Sequence, residues 1–233
     1  MSYLTNPYRY TVSQHYSTDF TSHGDWSANT THLNIVNNRL EWELTTTGMD
    51  EFINLDLSAL NISDTEWCLR YEFEFTTLNP NDDDNLMCNI GMYSNNSPSG
   101  AYPNGDWLRY GTYVNAGFAN ILSGGAGCSG SASCEQKVDV GNDPFSLSTS
   151  TGTTFYIETK RVSATQLEQR VYTNSDYSTG QVGTTMTNSL ITSAFDDTQF
   201  LTIHLFNQGS VYSGGYTGFI NQLDFYNKSS VPF

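Results

Sequence analysis

Apolar and polar residues alternate with a period of two along much of this chain, the signature of strands that bury one face and wet the other. The run WCLRYEFEFTT puts Trp67, Leu69, Tyr71, Phe73 and Phe75 on one side and Cys68, Arg70, Glu72 and Glu74 on the other. Thr154 to Asn174 reads as two such runs around a short polar turn, and Thr217 to Asn227 as a closing strand that starts at a glycine and ends on aromatics. The same criterion predicts strands at Tyr16–Phe20, Leu33–Val36, Arg39–Thr46, Glu51–Leu57, Glu66–Thr77, Asn85–Tyr93, Trp107–Ala116, Lys137–Val140, Phe155–Val162, Gln166–Thr173, Gln199–Asn207 and Gly218–Asn227. Helical periodicity is close to absent. Clusters of Gly, Asn, Asp and Pro separate the runs, and the pair Asn37-Asn38 falls where a tight hairpin turn belongs. NPNDDDN and NNSPSGAYPNGD read as longer loops, and the Gly/Ser-rich stretch at 123–133 as one long loop rather than a domain boundary. The expected architecture is all-β, an antiparallel two-sheet sandwich whose first and last strands are neighbours. Residues 1–15 are expected to form an extension and 16–233 the single sandwich domain.

Composition narrows the function classes. The 13 Phe, 15 Tyr and 4 Trp supply ample apolar surface for a core, which excludes disorder. Charged residues are only 14%, and the formal net charge is −15, so phosphate backbones would be repelled and nucleic acid is excluded as a partner. No apolar run approaches a membrane span. The start, MSYLTNPYRYTVSQHYS, has no basic segment followed by an apolar one, so no secretory signal is expected in it. A neutral polar exterior of Ser, Thr, Asn and Gly suits an extracellular or particle-surface location. A virion is one route to it.

Cys128 and Cys134 bracket GCSGSASC and could close a small loop disulfide. Alternation places Cys68 on the face opposite Trp67 and Leu69, and Cys88 with Leu86, Ile90 and Met92 on an inward face. A bridge between Cys68 and Cys88 is therefore not expected.

Three segments carry a family resemblance. FINLDLSALNISDTEWCLRYEFEF (Phe52 to Phe75), FYIETKRVSATQLEQRVYTN and TGFINQLDFYN are similar to the strand–turn–strand, the hairpin and the final strand of the concanavalin A-like, laminin-G-like jelly-roll superfamily. The resemblance implies a jelly roll. It leaves function open among lectins, glycan-binding modules, glycosidases, adhesion domains and virion proteins. Asn221 and Gln222 stand where relatives often carry acids, so no metal or substrate role transfers to them.

Against that background the candidate chemistry is limited. Glucan-hydrolysing members of the superfamily carry Glu-x-Asp-x-(x)-Glu on one strand. This chain offers Arg70, Glu72 and Glu74, without the middle aspartate or the full spacing, so solvent-face residues are the expected reading and no enzyme is expected. Glu41 and Glu43 read the same way. Asp82 and Asp84, with Asp83 between them, could bind calcium on a loop tip, as could Asp139, Asn142 and Asp143, although no cofactor is required. Tyr102, Asn104, Asp106 and Trp107 combine aromatic faces with hydroxyl-fixing side chains, the set that sugar recognition uses, and Tyr212 and Tyr216 repeat it on a glycine-rich loop. The expected function is a non-catalytic, lectin-like module binding glycans or a cell surface through rim loops. The alternative is a structural or receptor-binding subunit of a virion or other surface assembly, with the N-terminal arm adding a strand to a neighbour in an oligomer.

Overall fold

The computed structural model describes residues 15–45, 48–77, 86–99, 107–115, 118–127, 136–137, 151–189, 198–207 and 216–227. Within them lie two antiparallel sheets and one short 3-10 turn, Ser58–Leu60. The strands are β1 (His15–Thr18), β2 (Leu33–Val36), β3 (Arg39–Leu44), β4 (Asp50–Asp56), β5 (Trp67–Thr77), β6 (Leu86–Tyr93) and β7 (Trp107–Asn115). They continue with β8 (Phe118–Gly127), β9 (Gln136–Lys137), β10 (Thr154–Ser163), β11 (Gln166–Tyr172), β12 (Gln181–Ser189), β13 (Phe200–Asn207) and β14 (Tyr216–Tyr226). An eight-stranded sheet runs β12-β11-β10-β5-β14-β3-β2, with β1 also paired to β14, and a six-stranded sheet runs β4-β13-β6-β7-β8-β9.

Alternation explains why the sheets stack. In β5, Trp67, Leu69, Tyr71, Phe73 and Phe75 are all buried, as are Ile220, Leu223 and Phe225 of the adjoining β14. From the other sheet, Ile53, Leu55, Cys88, Ile90, Met92, Leu201, Ile203 and Leu205 join the same core. Trp42 stacks on Phe73 with ring centroids 5.4 Å apart and meets Phe75 edge-on at 5.6 Å. Burying side chains of this size stabilises by roughly 1.5–3 kcal/mol each, which is what holds two otherwise independent sheets face to face.

The termini of the fold meet as expected, with His15↔Tyr226 and Thr18↔Leu223 in register. Asn37 and Asn38 turn the β2–β3 hairpin with φ of 56° and 58°, the double left-handed geometry of a type I′ turn. The turn before β5 is tied to the end of β14 by Asn227, whose amide donates to the Leu60 and Asn61 carbonyls at 2.9 and 2.8 Å and whose oxygen accepts from the Ser63 amide.

Two elements depart from the sequence reading. Ser123–Gly127, expected in a loop, belongs to β8 and pairs with β7 from Trp107↔Gly127 to Gly111↔Ser123. Strand β12, QVGTTMTNS, has no apolar alternation to announce it, and it forms as the edge partner of β11. In both cases the hydrogen-bonding edge of a neighbour recruits a segment whose own side chains give no strand signal. Cys68 and Cys88 are both free and buried, Cys68 on the outer face of the eight-stranded sheet and Cys88 in the core. Burial pushes the Cys68 thiol up to about 12, with the Glu158 charge adding to it. Neither is poised to react.

Candidate functional site

The six-stranded sheet has an outer face that is unusual for a surface. Because Ile53, Leu55, Leu201, Ile203, Leu205, Cys88, Ile90 and Met92 point into the core, the alternate positions of β4, β13 and β6 point outward. Register aligns them in rows across the sheet. His204 lies between Phe52 and Asn89, Thr202 between Asn54 and Gly91, and Phe200 between Asp56 and Tyr93. On β7, Gly111 takes the position across from Asn89, and Trp107 the position across from Tyr93. Two glycines, Gly91 and Gly111, thus stand at the middle of the sheet, where no side chain can rise from the floor.

These outward positions are nonetheless buried: Thr202 and His204 are 0% exposed and Asn89 1%. The segment Ser94–Ser99 leaves the end of β6 and is tied to the edge strand β4. There Asn54 donates to the Asn96 carbonyl, and three residues further along the chain the Ser99 hydroxyl donates to Asp50 at 2.8 Å. Pro98, between those two anchors, is buried. The other oxygen of Asp50 meets His204 Nε2 at 2.8 Å. Among the described residues Asn89 Nδ2 and Thr202 Oγ1 have no hydrogen-bond partner. A buried polar atom left in that state costs about 1–3 kcal/mol, and these two stand on diagonal positions of neighbouring strands, where one ligand could repay it. A row of donors over a glycine floor can fix hydroxyl groups of a ring laid against it.

No protein-family model matches the chain, and no curated protein does. Solved structures do. The CBM2 module of an evolved Dit of Lactobacillus casei BL23 phage J-1 aligns with TM-score 0.57 at 10% identity, over 94% of this chain and 96% of that one. Peanut lectin, solved with a nine-residue peptide, aligns with TM-score 0.56 at 11% identity, over 91% and 95%. A Crh5 transglycosylase in complex with NAG aligns with TM-score 0.55 at 12% identity, over 92% and 84%. The fold is the concanavalin A-like jelly roll. Its neighbours include lectins and a carbohydrate-binding module as well as a transglycosylase, so the likeness carries architecture and leaves activity to be argued from the residues.

The carboxylates weighed for hydrolysis sit on the opposite face of this jelly roll, outside the eight-stranded sheet. Glu74 accepts from the Thr154 hydroxyl at 3.0 Å. Glu72 faces Tyr156 across the ladder, and burial, followed by the neighbouring charge of Asp224, raises its carboxyl above the ordinary range. A raised pKa can mark a general acid, but here the cause is burial, with the Asp224 carboxylate adding to it. An acid with a raised folded pKa opposes folding once it ionises, because the native state holds its proton to higher pH than the unfolded chain does. Glu72→Gln is therefore expected to melt at or above the temperature of the parent at pH 7, read by thermal denaturation. A lower melting temperature would mean that the carboxylate has a favourable partner.

Next to it lies a charge cluster invisible in the sequence, where Lys and Arg seem scattered. Glu158, with 2% of its side chain exposed, accepts from Arg70 at 2.7 Å, Lys160 at 3.0 Å and Arg170 at 3.1 Å. The Tyr177 ring covers Arg70 at 4.5 Å, held there by a turn in which Asp176 accepts from the Ser178 and Thr179 amides. The Thr179 hydroxyl, which donates to Asp176 at 2.7 Å, and then these amides lower the Asp176 carboxyl to about 2. The acid and its three cations are committed to one another, and the arrangement reads as structure.

The residues singled out from sequence divide sharply. Tyr216 is corrected: it opens β14 and is 1% exposed in the core, because it pairs with Leu44 on the buried side of the sheet. It cannot present a ring to a ligand. Trp107 opens β7 at the end of the sheet next to Tyr93 and is placed by its backbone alone. Tyr102, Asn104, Asp106 and Tyr212 lie outside the described residues, as do Asp82, Asp83, Asp84, Asp139, Asn142, Asp143, Cys128 and Cys134. Among the described residues no group of three or more His, Cys, Asp or Glu is arranged to hold a metal, and no helix is long and apolar enough to cross a membrane. The residues that sequence reading missed are Asp50, Asn54, Asn89, Thr202 and His204. The alternation of Leu201, Ile203 and Leu205 does mark Thr202 and His204 as outward, but nothing local says that they are roofed.

Proposed function

We propose that the chain is a non-catalytic glycan-recognition module that binds its ligand over the outer face of the six-stranded sheet. The observation that carries this reading is the pair of buried, unpartnered groups, Asn89 Nδ2 and Thr202 Oγ1, beside Gly91. Lectin and carbohydrate-binding neighbours of the same fold support it. Trp107 begins β7 at the Tyr93 end of this face, so Tyr102, Asn104 and Asp106, which precede it in the chain, are proposed as rim contacts, with Tyr212 as a further aromatic contact. Calcium at Asp82 and Asp84, ahead of β6, is proposed as a further ligand of the chain. Residues 16–233 form the recognition domain, and its place is extracellular or on a particle surface.

A glycan array probed with and without calcium tests this reading. Hits are expected, and Thr202→Val should weaken the best of them at least ten-fold. The same variant should melt no lower than the parent, because the hydroxyl it removes bonds nothing in the unliganded fold. An array without hits, or a Thr202→Val protein that binds normally, would overturn it.

A second reading is favoured by the phage module among the neighbours: the same fold carried as a receptor-binding or structural part of a virion or similar assembly. Here the arm preceding β1 joins copies of the chain. Light scattering on the full chain separates the two, since the second reading requires an oligomer or a stable complex with other particle proteins. A monomer that ignores them rules it out.

A further inference from the structure

Acidic residues are distributed very unevenly over the six-stranded sheet. Strands β6, β7, β8, β9 and β13 contain none of the 24 Asp and Glu of the chain. The sheet's acids, Asp50, Glu51 and Asp56, all lie on the edge strand β4. Two of them already meet histidines, Asp50 on His204 at 2.8 Å and Glu51 on His32 at 2.7 Å. Cations do occur on the acid-free strands, as Arg109 and Lys137. Arg109 pairs with Gly91 on one side and Gly125 on the other, and Gly125 pairs in turn with Lys137. One row across the sheet therefore reads Asn54, Thr202, Gly91, Arg109, Gly125, Lys137. Ladder partners share a face, so backbone register alone puts both cations on the face that carries Asn89 and Thr202. At roughly 4.8 Å per strand, Arg109 stands about 10 Å from Thr202 and Lys137 about as far again.

The other sheet treats its cations differently. Arg39, Arg70, Lys160 and Arg170 each have a carboxylate within 3.1 Å. On the six-stranded sheet, simple avoidance of charge would remove cations as well as acids, so the bias is one of sign. We propose that the ligand of this face is an acidic glycan, an oligosaccharide whose rings carry carboxylate or sulfate groups. The proposal rests on the reading of the Asn89–Thr202 face as the glycan site and adds the charge of what binds there. Arg109 and Lys137 supply the positive charge, and a guanidinium can meet a carboxylate or sulfate with two parallel N–H bonds. Asn89 Nδ2 is a donor only and the Thr202 hydroxyl can donate, so both partnerless groups suit the acceptor oxygens of an anion. Gly91 and Gly125 put no side chain between these positions, which leaves the row open to a chain of rings. The net charge of −15 does not oppose such contacts, because charges further off than about 8 Å are largely screened at physiological salt. Two cations remain too few for the many phosphates of a nucleic acid.

Paired probes test the charge of the ligand. The full chain is titrated with oligogalacturonate, oligomannuronate and carrageenan fragments, each beside its methyl-esterified or desulfated neutral counterpart. The best acidic member should bind about ten-fold tighter or more than its neutral twin, the worth of one hydrogen bond to a charged group. The uronate and sulfate arms tell the two sources of negative charge apart. Arg109→Gln and Lys137→Gln should each remove most of the preference, and Arg109→Lys should keep part of it. Arg39→Gln lowers the net charge equally on the other sheet and should leave the preference unchanged. Should Arg109→Gln fold poorly, the paired titration of the unmodified chain and Lys137→Gln at the sheet edge decide. Equal binding of acidic and neutral twins overturns the proposal, as does a preference that survives both glutamine variants or falls as far in Arg39→Gln. Neutral members that bind and are weakened by Thr202→Val leave the glycan site standing and defeat its charge alone. Binding by no member of any pair defeats both.

Discussion

Gly218→Ala is expected to destabilise the protein by at least about 3 kcal/mol, beyond the usual cost of an added methyl group in a core. A Cβ at this position would come within 2.2 Å of the Glu74 carbonyl oxygen and 2.5 Å of Trp42 Cζ2. The indole could shift. The carbonyl cannot, because it belongs to the β5 backbone that pairs with β14 along the centre of the eight-stranded sheet. The glycine is required for close approach, with Trp42 of β3 on one side and β5 on the other. Urea denaturation measures the loss. Shortening the ring with Trp42→Phe in the same background should restore little, since the backbone contact remains. A near-native midpoint for Gly218→Ala would show that β14 can slide away from β5, and the sheet centre would then be looser than its packing implies.

Glu158→Gln is expected to cost about 3 kcal/mol, at the low end of the range for removing one member of a buried ionic group. The carboxylate is the only described acceptor that Arg70, Lys160 and Arg170 hold in common, and with 2% exposure it has no water to fall back on. The cations are 13%, 17% and 27% exposed, so each can recover part of its hydration when the acid is neutralised, and that keeps the loss from being larger. Arg70 is the least able to do so because Tyr177 lies over its guanidinium. Denaturant titrations at low and high salt should give nearly the same loss, since a buried pair is poorly screened. A loss that vanishes in high salt would mean that the cluster behaves as an ordinary surface pair.

Both changes fall on the eight-stranded sheet and leave the proposed ligand face intact. Global stability and recognition can therefore be separated by experiment. Thr202→Val is expected to lose binding without loss of stability, and Gly218→Ala to do the reverse. That contrast follows from what surrounds each residue: Gly218 is hemmed in by the Glu74 carbonyl and the Trp42 ring, whereas Thr202 Oγ1 has no hydrogen-bond partner.

Local pattern alone determined the strands whose two faces differ in polarity. WCLRYEFEFTT declared both its buried and its wet side, and Asn37-Asn38 declared its turn, because a period of two and a left-handed backbone are properties of a few consecutive residues. Where side chains carry no such contrast, as in FANILSGGAG and QVGTTMTNS, only the paired edge of a neighbouring strand made a strand of them. The fate of Tyr216 was likewise settled by register against β3. The candidate site was decided wholly by tertiary structure. Asp50 and Asn54, Asn89, and Thr202 with His204 come from three strands, far apart in sequence, that become neighbours when β13 inserts between β4 and β6. Pairing between distant strands depends on the whole set of competing edges and core contacts, and no short stretch of chain contains that information.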